Sequence, residues 1–200
     1  MVKLVCAPAR PERIEVAVTT QIESRMILVL SFYREAELQG SRLLLKLMNH
    51  LRDGETQAKL TRHVADETRH AWLLTRRIAE LGGSPRDIGE AGYQRQLGRS
   101  VGWPHDVIDL LALTLVAEER ALDRYITQAE HPAIDAATRE VFRAVSADEQ
   151  WHIAWVRERL FDLAYERNID EPRIFQSIAR YKAAEERLYV TLLGAEAALA

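Results

Sequence analysis

Two hundred residues, 48% hydrophobic and 28% charged, give enough chain to bury a sizeable core in one domain. A formal net charge of -3 argues against a dominant nucleic-acid or anionic-membrane surface. The lone cysteine, Cys6, excludes an intramolecular disulfide, a four-cysteine zinc site and a rubredoxin-type iron centre within the chain.

Residues 1–20 carry Pro8 and Pro11 and read as a lead-in arm; their apolar stretch is too short for a secretory signal. A first helix is expected from Ile22 to Leu51, where Leu30, Tyr33, Glu37, Gly40, Leu44, Met48 and Leu51 recur at helical spacing. Asp53-Gly54 breaks it. A second helix, 55–81, carries the stripe Leu60, Val64, Glu67, Ala71, Leu74 and Ile78, and Gly82-Gly83-Ser84-Pro85 ends it. The 83–104 segment holds five of the nine glycines and is the one long connection. Helices follow over 106–130 and 133–167, separated at His131-Pro132, and a fifth over 174–193. No strand alternation is present and no apolar run reaches the ~18 residues of a membrane span. The expected class is all-α, a single domain over 1–200. Two antiparallel helical hairpins joined by the 83–104 crossover form a four-helix bundle, followed by a C-terminal fifth helix. The expected location is the cytoplasm.

The most informative feature is a repeated Ala-Asp-Glu-x-x-His segment. The first copy places Asp66, Glu67 and His70; the second places Asp148, Glu149 and His152, 82 positions later. A glutamate and a histidine three apart share one helix face. One Glu-x-x-His arises readily by chance. Two copies with a common prefix, on the second helix of each hairpin, supply most of the ligands of a dinuclear metal site. Such a site needs one further carboxylate from the first helix of each hairpin, on the apolar stripe, where an unpaired charge is costly. Glu37 and Glu118 fit, in matching surroundings: Ala36-Glu37 with Gly40 and Leu44, against Ala117-Glu118 with Ala121 and Tyr125. Glu35 and Glu119 are rivals that break the stripe or the match. The expected metal ligands are Glu37, Glu67, His70, Glu118, Glu149 and His152. Oxygen and nitrogen donors without thiolate suit two iron ions, with manganese as the alternative.

This pattern resembles the ferritin-like di-iron carboxylate superfamily, over about residues 25–165, in its rubrerythrin and tRNA-hydroxylase-like branch. The resemblance implies that Glu67 and Glu149 bridge the metals, that Glu37 and Glu118 are terminal, and that each metal takes one histidine. It also implies that Asp66 and Asp148 hold the histidines' outer nitrogens. It makes the chain an expected di-iron oxidoreductase, an oxidase or monooxygenase activating O2 against an unknown organic substrate, with an external electron donor and an open question of homodimer formation. A tRNA substrate follows from the branch, and the acidic balance gives it no support. The alternatives are a peroxidase or dimanganese catalase acting on H2O2, and a ferroxidase or iron-binding protein.

The remaining polar and aromatic residues read more blandly. His63 has Val145 in the equivalent position and reads first as a flanking polar residue, or else as an outer partner of the site or the lining of an entry path. Tyr125 and Tyr33 read as core packing, with a radical or a substrate hydrogen bond as the other reading. Trp72, Trp151 and Trp155 read as packing against neighbouring helices, Arg69 as pairing with a nearby carboxylate, and Glu185-Glu186-Arg187 as a solvated face.

Overall fold

Five long helices are described: α1 Pro11–Leu47, α2 Gly54–Glu80, α3 Val107–Glu130, α4 Ala136–Glu166 and α5 Glu171–Ala198. This computed structural model describes residues 11–88, 97, 101, 102, 104 and 106–198, with side chains from residue 23 to 188. Most of the expected 83–104 crossover, and residues 1–10 of the expected arm, lie outside the described residues. α1 starts eleven residues before Ile22, so residues 11–20 of that arm are helix instead. Pro11 is compatible with a first helical turn, where no backbone N–H is required, and no glycine falls between it and Ile22.

The other boundaries follow local chemistry. Asp53, Asp106 and Asp135 each cap a helix, their side chains accepting from the backbone N–H of Thr56, Asp109 and Thr138. Gly82, at φ 75°, ends α2, with the Gly83 N–H returning to the Ile78 carbonyl. Asn168 takes the same left-handed role after α4, at φ 53°.

α1 packs along α2 and α3 along α4, and the two hairpins meet through α2 against α4 and α1 against α3. α5 lies mainly on α3. Asp109, fully buried on α3, accepts from Ser177 at 2.8 Å and pairs with Arg173 and Arg180 at 3.1 and 2.9 Å, which pins α5 down. Arg77 ties the end of α2 to the start of α4 through Thr138 and Asp135, at 2.8 and 2.9 Å.

The core divides into two apolar clusters. One gathers Leu44, Leu60, Leu111, Leu115, Trp155 and Leu160; the other gathers Leu30, Tyr33, Leu74, Tyr125, Phe142 and Val145. Along every bundle helix the Glu and His positions fall between these clusters. The fold therefore places a polar layer at mid-bundle, closed above and below by hydrocarbon.

Candidate metal centre

Each bundle helix delivers a carboxylate to that layer. Glu37 comes from α1, Glu67 from α2, Glu118 from α3 and Glu149 from α4, while His70 and His152 sit a turn beyond the last two motif glutamates on their helices. All six are buried, none more than 6% exposed. They form two overlapping groups whose donor atoms lie within 4.8 Å of one another: Glu37, Glu67, His70 and Glu149, and His63, Glu67, Glu118 and His152. Glu67 belongs to both. Glu35 and Glu119 stay outside: Glu35 accepts from Gln39 at 3.0 Å, and Glu119 pairs with Arg157 and Lys182.

Both motif histidines turn Nδ1 inward. His70 Nδ1 lies 3.0 Å from Glu37 Oε2 and 3.6 Å from Glu149 Oε1. His152 Nδ1 lies 3.2 Å from Glu149 Oε2 and 3.7 Å from Glu67 Oε1. Their Nε2 atoms face the aspartates with an exchange between halves. His70 Nε2 meets Asp148 at 3.1 Å, and His152 Nε2 meets Asp66 at 3.5 Å, long for a hydrogen bond. An aspartate one residue before its glutamate points round its helix toward the facing helix, so each serves the other motif. Arg69 donates to Asp148 and holds it in place.

Crowded charge sets the proton affinities. Burial pushes the Glu67 and Glu149 carboxyls well above the usual range, and the neighbouring carboxylates push them further. Burial would raise Glu118 too, but His63 and His152 outweigh it and bring it to about 2. Burial would lower His70, but Glu37 and Asp148 outweigh that and raise it to about 9. For His152 burial prevails, helped by repulsion from His63 and His70, and it falls to about 4.

Two divalent cations fit this donor set. Glu67 Oε1 and Glu149 Oε1 are buried without a hydrogen-bond partner, an expensive condition that a metal ion would relieve. The donors are carboxylate and imidazole, compatible with iron or manganese. On the histidine side the layer is closed by α2 and α4. On the carboxylate side, between α1 and α3, it opens on a cavity of about 50 Å³. Ala36, Gly40, Ala117 and Ala121 line that cavity beside the four glutamates, with Tyr33 and Tyr125. Tyr125 donates its hydroxyl to Glu37, and burial followed by Glu37 raises the phenol well above its ordinary value.

Several bland readings of the sequence need correction. His63 is fully buried inside the second group rather than flanking it. Its position four before Glu67 was the available signal; the missing counterpart at Val145 hid it. Trp72 is 62% exposed rather than packed away, whereas Glu185 is 1% exposed and paired with Arg120 rather than solvated.

A four-helix bundle with a buried cluster of carboxylates and histidines suited to two metal ions defines a class, and comparison with known proteins agrees with it. Residues 44–164 match the family model described as a ferritin-like domain, and the chain belongs to that family. It is 31% identical over 156 residues to a bacterioferritin of Streptomyces coelicolor, covering 75% of this chain and 80% of that protein. Two solved structures share the fold. A Synechococcus protein with aldehyde deformylating oxygenase activity superposes with a TM-score of 0.68 at 19% identity, covering 94% of this chain and 89% of that one. The dodecameric thioferritin of Bacteroides fragilis, a bacterioferritin-related protein, gives 0.60 at 20% identity, covering 78% and 97%. Among the described residues no helix is long and apolar enough to cross a membrane.

Proposed function

We propose that the chain is a di-iron oxidoreductase that activates O2 at this centre to oxidise an organic substrate, using an external electron donor. The observation that carries the reading is the one-sided opening of the site. Four glutamates face a small cavity between α1 and α3, while the histidines, Asp66 and Asp148 close the opposite side. A metal site with an open face is arranged for exchange and chemistry rather than for structure. In this reading Glu37, Glu67, His70, Glu118, Glu149 and His152 would hold the two ions, with Glu67 common to both groups of donors. Bound there, two iron ions would supply the electrons for reducing O2.

The chain's own groups prepare for that. Glu118, held ionised beside two imidazoles, is ready for a cation. Glu67 and Glu149, raised by burial and by the neighbouring carboxylates, give up their protons less readily, and a bound cation would favour their ionised form. The Tyr125 hydroxyl orients Glu37 from the cavity wall. The apolar clusters above and below keep bulk water out of the layer. The cavity volume suits O2 or H2O2, and an organic substrate would reach the centre from the mouth between α1 and α3.

The bacterioferritin relative favours a second reading, oxidation and storage of iron as cargo. One experiment separates the two. Protein loaded anaerobically with Fe(II) is analysed for metal per chain by elemental mass spectrometry, then followed optically and by oxygen electrode as O2 is added. Saturation at two irons per chain, with O2 uptake renewed on each reduction, supports the oxidoreductase. Continued uptake of iron into a large particle supports storage, and rapid reaction with H2O2 but not O2 supports a peroxidase. Two manganese ions from cell-purified protein would move the reading to a catalase. No stoichiometric metal after loading would sink all of these.

A further inference from the structure

His63 is the seventh buried polar group of the centre, and the six-ligand set leaves it without a task. By spacing alone it resembles a ligand. Its Nε2 lies 3.3 Å from Glu118 Oε1 and 3.5 Å from Glu67 Oε1, and its ring stacks on His152 at 3.6 Å between centroids. Donor atoms bound at ~2.1 Å around one tetrahedral ion would stand at similar separations.

Its other nitrogen argues against ligation. Trp155, 2% exposed, points its indole Nε1 at His63 Nδ1 at 3.2 Å. An indole nitrogen is a donor only. His63 Nδ1 must therefore carry the lone pair, and in the neutral ring the proton sits on Nε2. That N–H faces the carboxylates and has no lone pair for a metal. The motif histidines are arranged the other way: the outer nitrogen of His70 donates to Asp148 and that of His152 faces Asp66 at the longer 3.5 Å, acceptors that suit a ring presenting its inner nitrogen to a metal. A donor behind His63 and acceptors behind His70 and His152 assign opposite roles to similar rings.

We infer that His63 is a carboxylate-positioning residue, not a metal ligand: its Nε2–H holds Glu118 and makes the two metal positions inequivalent. In this structure the 3.3 Å contact falls short of hydrogen-bond geometry and leaves Nε2 without a partner; closing it onto Glu118 Oε1 in the loaded centre would satisfy Nε2 and leave the other Glu118 oxygen for the metal. Glu37 at the other position takes its hydrogen bond from the Tyr125 hydroxyl instead. Val145 stands where a second such histidine would be, so the restraint is built on one side only. The inference rests on the dinuclear centre proposed above.

Anaerobic titration with Co(II), read by its visible bands, tests it without turnover. Wild-type protein should bind two Co(II) per chain. His63→Leu should still bind two with unchanged band intensity, because no ligand is lost, but with one affinity lowered about tenfold, the scale for losing an outer hydrogen bond to a ligand. His63→Gln, which keeps an N–H donor, should recover most of that loss and serves alone if His63→Leu does not fold. Binding of a single Co(II), or band intensities reporting fewer ligands, in either variant would make His63 a ligand and overturn the inference. Unchanged affinities in His63→Leu would make it a spectator, which overturns it equally. Wild-type protein that binds no Co(II) overturns the centre itself, and the inference with it.

Discussion

The two halves of the centre carry the same motif and hold their protons differently. His70 is raised to about 9, whereas His152 is lowered to about 4. Glu118 falls to about 2, while Glu67 and Glu149 rise well above the usual carboxyl range. The candidate donors repeat between halves, but their neighbours do not. His63 faces Val145 in the pairing of halves, and Tyr125 faces Leu44. Asp148 sits 3.1 Å from its histidine under the grip of Arg69, while Asp66 sits at 3.5 Å. A repeated sequence can thus supply a symmetric set of donors whose surroundings make the two positions chemically distinct.

Removing a shared carboxylate should break the comparison most completely. Glu67→Ala and Glu149→Ala are each expected to reduce bound metal from two ions per chain to one or none, measured by elemental mass spectrometry. Folding should survive, because losing a buried like charge relieves repulsion. At pH 8 the metal-free variants should be more stable than the metal-free parent, because a carboxyl raised by burial and like charge opposes folding there. Two metals retained in both variants would show that neither glutamate is a ligand.

Exchanging one outer aspartate should sharpen the asymmetry. Asp148→Asn is expected to weaken metal binding by roughly 10–100-fold, the range for an outer partner of a ligating histidine. Asp66→Asn, at the longer contact, should cost less. Isothermal titration with Mn(II) compares them, and equal losses would contradict the geometric difference.

Acidity offers a third test. A group whose folded pKa exceeds its unfolded value binds extra protons when folded, so its contribution to stability falls as pH rises between the two values. His70, Glu67 and Glu149 all have this sign. Metal-free protein should therefore lose denaturant stability as pH rises from 6.5 to 9. His152 and Glu118 have the opposite sign, and their contributions are lost as pH falls from 6.5 toward 4 and from 4.5 toward 2. Metal-loaded protein should show much less decline on the alkaline side. A metal-free stability that climbs between pH 6.5 and 9 would contradict the assignment.

The sequence was legible where periodicity and chemistry coincide. Four long helices, their breaks at Asp53-Gly54, Gly82 and His131-Pro132, and the burial of six donor residues all followed from spacing, because a charge on an apolar stripe needs a partner. The crossing of Asp66 to His152 and of Asp148 to His70 was not legible, since it depends on how α2 and α4 face each other. His63 reads two ways in the sequence, flanking residue or outer partner, because it has no counterpart in the other half to decide between them. The Glu185 pairing with Arg120 depends on where α5 settles on α3, which no local pattern encodes.

Tyr125 provides the mildest perturbation of the comparison. Its ring packs against Tyr33 and Phe142 at 5.0 and 5.8 Å between centroids, and phenylalanine would preserve those contacts. Tyr125→Phe removes only the hydroxyl that Glu37 accepts from, leaving His70 as the nearby partner of that carboxylate in the metal-free protein. Once a metal takes His70 Nδ1, Glu37 would have no donor from Tyr125 to compensate. The expected stability change is about 1 kcal/mol, the ordinary net worth of one buried hydrogen bond. The expected loss of metal affinity is about tenfold at one position only. His63→Leu acts on the other terminal glutamate, so the two losses should fall on different metals and combine additively in the double variant. If both variants weaken the same binding step, the terminal glutamates serve one metal between them, and the two-sided arrangement of the centre would have to be abandoned.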